Sequence, residues 1–245
     1  MKNAMTATVL ALAWLAASAP VVAEPAVQEL QPFIARYDVK YGRMGIGESR
    51  LELRRGDGPK RWVLESEADA TGLARLIAGN TLVQTSTILV EDGEVRPLQF
   101  TFNDGLERKQ EDVQLDFDWA QRRVTGTAKG EPVDLPLEAN GQDPVSNQLA
   151  AMVDLMNGRQ PEPYAMYDRS KGPKVYGYRF VKREQLETAA GTFDTVVYSS
   201  SREGSDRETM LWLAPALGYL AVQVESYRKG KRGFSMYLSK YVSGG

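Results

Sequence analysis

The chain has 245 residues, of which 30 are basic and 32 acidic, giving a formal net charge of −2. It contains no histidine and no cysteine, which excludes Ser-His-Asp and Cys-His catalysis, disulfide bonds and the usual zinc, copper and haem ligands. A weakly acidic chain also lacks the broad positive field on which nucleic-acid binding relies, so nucleic acid is not an expected partner. Carboxylate chemistry, serine-lysine chemistry and metals bound through oxygen remain open.

The first 23 residues have the pattern of a secretory signal peptide. One positive charge precedes an apolar stretch over residues 9–17, and small residues stand at Val21 and Ala23. We therefore predict cleavage before Glu24 and a periplasmic mature protein, residues 24–245, that forms a single domain. The apolar stretch is too short to span a bilayer, so we do not expect a membrane-spanning protein.

Short segments of alternating apolar and polar residues dominate the mature chain, the period of a strand with one buried face. Turns rich in Gly, Pro, Asp and Asn separate them. The first segment, for example, places Phe33, Ala35, Tyr37, Val39 and Tyr41 on one face. About twelve such strands follow one another, more than a flat sheet holds without curling. The predicted fold is all-β, a curved antiparallel β-barrel or half-barrel.

Two segments show helical periodicity instead. Asp143 and Pro144 have the pattern of an N-cap followed by a proline in the first turn, and apolar residues then recur at helical spacing until Gly158. This predicts an amphipathic helix of about four turns at one end or at the mouth of the barrel. A shorter helix is predicted over residues 71–79, and residues 160–172 are predicted to form a long loop.

Aromatic residues in the predicted strands are the main positive signal for function. Two interpretations remain open: that they fill the core, as aromatics usually do, or that several line a cavity for a lipid-like ligand. No catalytic residue, metal ligand or cofactor site is predicted. The candidate ligand-binding residues are Tyr37, Trp62, Phe100, Phe102, Leu149, Met152, Tyr178 and Trp212.

Catalysis by carboxylate side chains is the alternative to ligand binding. A hydrolase or lyase of the cell envelope would depend on acidic residues such as Asp112, Asp116 and Asp143. Asp112 and Asp116, however, share the polar face of a predicted strand, and Asp143 is explained as a helix cap. The acidic loop typical of calcium sites is missing, and a transmembrane barrel is disfavoured because the strands keep polar faces.

Seven short motifs occur in order along the chain. They are Phe33-x-Ala35-x-Tyr37-x-Val39-x-Tyr41, Gly45-x-Gly47, Ala70-x-Gly72-Leu73, Arg96-Pro97-Leu98-x-Phe100, Gly141-Gln142-Asp143-Pro144-Val145-Ser146, Thr188-Ala189-Ala190-Gly191-Thr192-Phe193-Asp194-Thr195 and Leu211-Trp212-Leu213-Ala214-Pro215. The set resembles a family of exported bacterial proteins known as domain of unknown function 3108 (DUF3108). The resemblance implies an exported all-β protein of a Gram-negative bacterium, with no agreed activity and no catalytic residues to transfer.

The C-terminal half is also similar in pattern to the half-barrels of periplasmic lipoprotein carriers, which hold acyl chains beneath helices. Fold analogy of this kind does not establish function. The expectation is an exported, non-enzymatic periplasmic protein that binds a hydrophobic or lipid-like small molecule or docks an envelope protein. The carboxylate-based hydrolase or lyase remains the alternative.

Overall fold

The computed structural model describes residues 29–71, 81–106, 112–168 and 172–244. These residues form fifteen β-strands, one α-helix, α1 (Ser146–Met156), and one short 3₁₀ helix (Pro215–Leu217). The strands are β1 (Phe33–Tyr41), β2 (Met44–Arg55), β3 (Arg61–Ala70), β4 (Leu82–Glu91), β5 (Glu94–Asn103), β6 (Val113–Asp118), β7 (Arg123–Ala128), β8 (Glu131–Pro136), β9 (Gly141–Gln142), β10 (Tyr164–Met166), β11 (Lys174–Thr188), β12 (Gly191–Ser201), β13 (Arg207–Ala214), β14 (Leu220–Arg228) and β15 (Lys231–Ser243).

All fifteen strands belong to one open, curved sheet in the order β8-β7-β6-β5-β4-β3-β2-β1-β15-β14-β13-β12-β11-β10-β9. Strand β1 lies in the middle, between β2 and β15. Neighbouring strands are antiparallel, except that β9 and β10 pair in parallel. The all-β class and the curved antiparallel sheet are therefore confirmed, but the sheet has fifteen strands rather than about twelve.

The three strands that the sequence analysis did not predict are β8, β9 and β10. Strand β8 contains Pro132 and Pro136, which remove backbone donors, and it tolerates them because it lies at the edge of the sheet. Strands β9 and β10 have only two and three residues, too few to show an alternating pattern. The segment from 160 to 172 is thus not purely a loop, because it contains β10.

Buried apolar side chains cover the concave face of the sheet. Leu53, Leu64, Ile88, Phe100 and Val124 come from five strands and are each at most 1% exposed. They belong to one core cluster together with the buried residues of α1. In these five strands the alternation of apolar and polar residues therefore serves a core on the concave side, whereas β12 is buried on both faces over Thr195–Ser200.

Helix α1 packs against this concave face through most of its length. Leu149, Ala150, Met152 and Val153 are all buried. The helix begins at Ser146 rather than at Pro144, and its 11 residues make three turns rather than four. The difference arises because Asp143 first forms a tight turn, described below, before the regular helix begins.

Two predicted segments lie outside the described residues: the signal peptide, residues 1–23, and most of the short helix predicted over 71–79. Within the described ranges, no helix has the length and apolar character needed to cross a bilayer.

Candidate ligand-binding cavity

A cavity of about 330 Å³ lies between helix α1 and the concave face of the sheet. Small-molecule sites usually have roughly 300–1,000 Å³, so the cavity is at the small end of that range. It has about twice the volume of an apolar cavity of roughly 150 Å³ that accepts benzene. Its apolar wall is formed mainly by Leu51, Met152, Leu211, Leu213, Val224 and Met236.

The cavity wall is uncharged. None of the described residues that line it is Asp, Glu, Lys or Arg. Its polar groups are the side-chain amides of Asn147 and Gln148 and the hydroxyls of Ser, Thr and Tyr residues. Ligand binding here would therefore rest on apolar contact and neutral hydrogen bonds.

Strand alternation decides which residues reach the cavity. On β13, Leu211 and Leu213 line it, so the intervening Trp212 points to the opposite face of the sheet. There the indole N–H of Trp212 donates a hydrogen bond to Oε1 of Glu184 at 2.6 Å. Trp212 is buried, but it does not contact the cavity.

Three polar side chains form what we call the polar strip of the cavity wall: Asn147, Tyr178 and Ser200. Nδ2 of Asn147 donates to the hydroxyl of Tyr178 at 2.7 Å, and Tyr178 is also hydrogen-bonded to Ser200. Oδ1 of Asn147 is buried and has no hydrogen-bond partner among the described residues. Burial raises the pKa of Tyr178 to about 12, so its hydroxyl is neutral at physiological pH.

Tyr37 lines the cavity, but its hydroxyl is hydrogen-bonded within the protein. Its hydroxyl donates to the backbone oxygen of Ala221 at 3.0 Å, across the interior from β1 to β14. Burial raises the pKa of Tyr37 well above its ordinary value. Because the hydroxyl already has a partner in the protein, Tyr37 offers the cavity its ring and ties two walls together.

The candidates from the sequence thus separate into two groups. Tyr37, Met152 and Tyr178 line the cavity. The others do not line it, although all are buried: Trp62, Phe100, Phe102, Leu149 and Trp212. Whether any of them binds a ligand stays a prediction.

Sequence reasoning missed the polar side chains of the wall. Ser66 and Ser200 stand at inward positions of β3 and β12, where the neighbouring inward residues Leu64 and Tyr198 are large and apolar. Small polar residues at such positions leave space and hydrogen-bonding groups where a solid core would place bulk. A small polar residue at an inward position of an otherwise apolar strand face was therefore the sequence signal for the cavity.

Asp143 lies behind the start of α1 and is completely buried. Its Oδ1 accepts the backbone N–H groups of Val145 and Ser146, each at 2.8 Å, and its Oδ2 accepts the hydroxyl of Ser86 at 2.6 Å. Burial raises the pKa of Asp143 to about 6, although these hydrogen bonds act in the opposite direction. Asp143 therefore caps the helix start and fastens it to β4.

Two of the three carboxylates of the alternative hypothesis, Asp116 and Asp143, lie on opposite sides of the sheet. Asp116 lies on the face of β6 opposite the buried Leu115 and Phe117 and accepts a hydrogen bond from Gln99 at 2.8 Å. Asp143 is in the interior, so a sheet separates the two carboxyl groups. Among the described residues, no three acidic side chains are grouped in a way that would hold a metal ion.

These features define a class: a β-barrel-like protein in which one helix packs into a curved sheet beside an uncharged cavity. The chain belongs to the family described as "Protein of unknown function (DUF3108)", whose sequence model matches residues 36–237. This confirms the resemblance drawn from the seven motifs.

Three solved structures match this chain, and the first of them is similar in fold. A β-barrel-like protein of domain of unknown function DUF1849 from Brucella abortus is 12% identical, with a TM-score of 0.55 over 88% of this chain and 99% of that one. A candidate lipoprotein from Parabacteroides distasonis is 11% identical, with a TM-score of 0.40 over 87% and 96%. A candidate exported protein with a YmcC-like fold from Bacteroides fragilis is 12% identical, with a TM-score of 0.40 over 87% and 96%. No curated protein matches the sequence.

Proposed function

We propose that this protein is a non-enzymatic, exported envelope protein that holds one small hydrophobic or amphipathic ligand in the cavity beside α1. The observation that carries the proposal is the cavity itself, a space of about 330 Å³ between α1 and the sheet that is partly open to solvent and whose described wall is mostly apolar and uncharged. A ligand of matching shape would remove this apolar wall from water, which is favourable by roughly 25 cal/mol per Å² of apolar surface buried.

The chemistry of the wall favours binding over catalysis. General acid–base catalysis requires a group whose pKa lies near the operating pH. The wall residues Tyr37 and Tyr178 have pKa values raised by burial, and no carboxylate or amine lines the cavity among the described residues. A hydrolase acting here would have no carboxylate or amine as proton acceptor among the described wall residues.

The signal-peptide pattern of residues 1–23 supports a periplasmic location. An exported protein in that compartment meets single lipids and lipid fragments, which match an apolar wall with a few hydrogen-bonding groups.

A cavity-filling substitution tests the proposal. Ala151 lines the cavity from helix α1, so Ala151→Phe places a ring in the space that a ligand would occupy. Binding of the neutral fluorophore N-phenylnaphthylamine to the purified mature protein should weaken by about tenfold or more in this variant. The matched control is Ala120→Phe in an exposed turn, which should bind like the unmodified protein.

Thermal unfolding of both variants shows whether they are folded at the temperature of the assay. The proposal fails if the unmodified protein does not bind the fluorophore, or if Ala151→Phe remains folded and binds it with unchanged affinity.

A further inference from the structure

We propose that one end of the sheet docks on the surface of an anionic lipid bilayer. The contact surface, which we call the basic tip, consists of residues 40–44, around the turn between β1 and β2, and residues 228–234, around the turn between β14 and β15. Two observations carry the proposal: six basic residues without an acidic one in these two segments, and two exposed apolar side chains among them. The inference goes beyond the proposed function and does not depend on the cavity.

The two turns form one surface because their hairpins are neighbours. Strands β1 and β15 pair with Tyr41 opposite Phe234, and the backbone N–H of Gly42 donates to the backbone oxygen of Gly233 at 3.0 Å. The ring of Tyr41 also lies beside Gly233, so that a Cβ at that position would be 3.6 Å from Cε2 of the ring. Residues far apart in sequence are thereby held side by side at one end of the sheet.

The basic tip is strongly positive, although the whole chain has a net charge of −2. Its basic residues are all exposed: Lys40, Arg43, Arg228, Lys229, Lys231 and Arg232. Arg228 shares its charge with Asp206 at 3.4 Å. Arg232 shares its charge with Glu225 at 2.8 Å. The other four remain for an anionic surface, and each basic residue near such a surface strengthens binding by about fivefold.

The apolar side chains of the basic tip favour a bilayer over a soluble polyanion. Met44 and Tyr41 are 64% and 63% exposed, the highest values among the exposed large apolar side chains of the described residues. At a lipid surface, an apolar side chain enters the boundary between headgroups and acyl chains, and a tyrosine ring sits at the level of the headgroups. Lysine and arginine reach the phosphates with their charged ends. A soluble polyanion would match the charge alone.

Cosedimentation of the purified mature protein with vesicles tests the proposal. Vesicles of phosphatidylglycerol and phosphatidylcholine in equal parts should bind the protein at least about tenfold more tightly than vesicles of phosphatidylcholine alone, and added salt should weaken this binding. Equal affinity for the two kinds of vesicle, or no binding to either, overturns the proposal. Ala151→Phe, which fills the cavity, should bind vesicles like the unmodified protein, so failure of docking and failure of the proposed function are separate results.

A double substitution tests whether the basic tip is the contact surface. Arg43→Gln combined with Lys231→Gln removes one charge from each hairpin and should lower the affinity for the anionic vesicles by about 25-fold. The matched control is Arg36→Gln combined with Lys240→Gln, which removes an exposed arginine and an exposed lysine from β1 and β15 away from the turns. The control should bind like the unmodified protein, and an equal loss in both variants contradicts the proposal.

Met44→Gln tests the apolar part of the contact. The affinity for the anionic vesicles should fall about two- to tenfold, because the polar side chain gains less from entering the bilayer surface. Val242→Gln is the control, since Val242 is 45% exposed near the other end of β15. All the substituted residues of the basic tip are exposed, so the variants should fold normally. Unchanged affinity of Met44→Gln would show binding by charge alone and contradict docking on a bilayer.

Discussion

Asp143 shows how a single residue joins helix and sheet. Its two carboxyl oxygens bind the backbone of the first turn of α1 on one side and Ser86 of β4 on the other. The sequence predicts the capping role, because an Asp-Pro pair before an apolar helical pattern is typical of a helix start. The bond to Ser86 could not be predicted, since it joins residues 57 positions apart.

Removing the carboxyl group should destabilise the fold. Asp143→Ala deprives two backbone N–H groups and a buried hydroxyl of their acceptor, which costs about 2–4 kcal/mol in the free energy of unfolding. Asp143→Asn keeps an acceptor for the backbone and a donor for Ser86, so its cost should be well below that of alanine. Urea unfolding at pH 7 measures both, and equal losses would contradict the capping role.

The burial of the Asp143 carboxyl group also predicts that the stability of the fold depends on pH. Because burial raises the pKa of Asp143 from 3.8 to about 6, the folded state binds the proton more tightly than the unfolded chain does. This contribution to stability is fully present below about pH 4 and is lost as the pH rises through 6, by up to about 3 kcal/mol. The stability of the unmodified protein relative to Asp143→Asn should therefore fall between pH 4 and 7. A constant difference across that range would show that Asp143 is not buried as described.

Helix α1 contains both structural and cavity-lining residues. Leu149 is completely buried and does not line the cavity, whereas Met152, on the next turn, does. The helical period of the apolar residues predicts that both side chains face the sheet. It does not predict which of the two lines the cavity, because that depends on serine side chains of strands distant in sequence.

Alanine substitutions should separate the two roles. Leu149→Ala leaves a void in packed core and should cost about 2–5 kcal/mol in unfolding free energy, with ligand affinity unchanged. Met152→Ala enlarges a space that already exists, so its effect on ligand affinity should exceed that of Leu149→Ala. Urea unfolding and fluorophore binding measured on both variants check this, and equal effects on affinity would contradict the placement of the cavity.

At the scale of the whole molecule, hydrogen bonds connect the two ends of the single β-sheet. Tyr167, directly after β10 at one end, donates its hydroxyl to the backbone oxygen of Pro136 in β8 at 2.6 Å and accepts the N–H of Glu138 at 3.0 Å. The overall class was predictable from alternation, because twelve of the strands show it in the sequence. The joining of the ends was not, since it depends on a tyrosine hydroxyl and two backbone groups that carry no sequence pattern.

Tyr167→Phe should weaken this junction. The ring can stay packed in the core, but a partly buried backbone oxygen and N–H lose their partner, which costs about 1 kcal/mol in unfolding free energy. Tyr41→Phe is the matched control, because Tyr41 is 63% exposed. Denaturant midpoints that shift equally for the two variants would show that Tyr167 does not hold the ends of the sheet together.

Export, which the first 23 residues predict, concerns the whole chain. The small residues at Val21 and Ala23 predict that the mature protein begins at Glu24. N-terminal sequencing of protein recovered from the periplasm checks this. A chain that retains its first 23 residues there would contradict the predicted cleavage.

Mass spectrometry of the organic extract of protein purified from its native envelope tests the proposed function most directly. We expect one small hydrophobic or amphipathic molecule per protein molecule, strongly reduced in Ala151→Phe, where a ring fills the cavity. Protein that carries no small molecule, or the same molecule in equal amount in a folded Ala151→Phe variant, would contradict a ligand in this cavity.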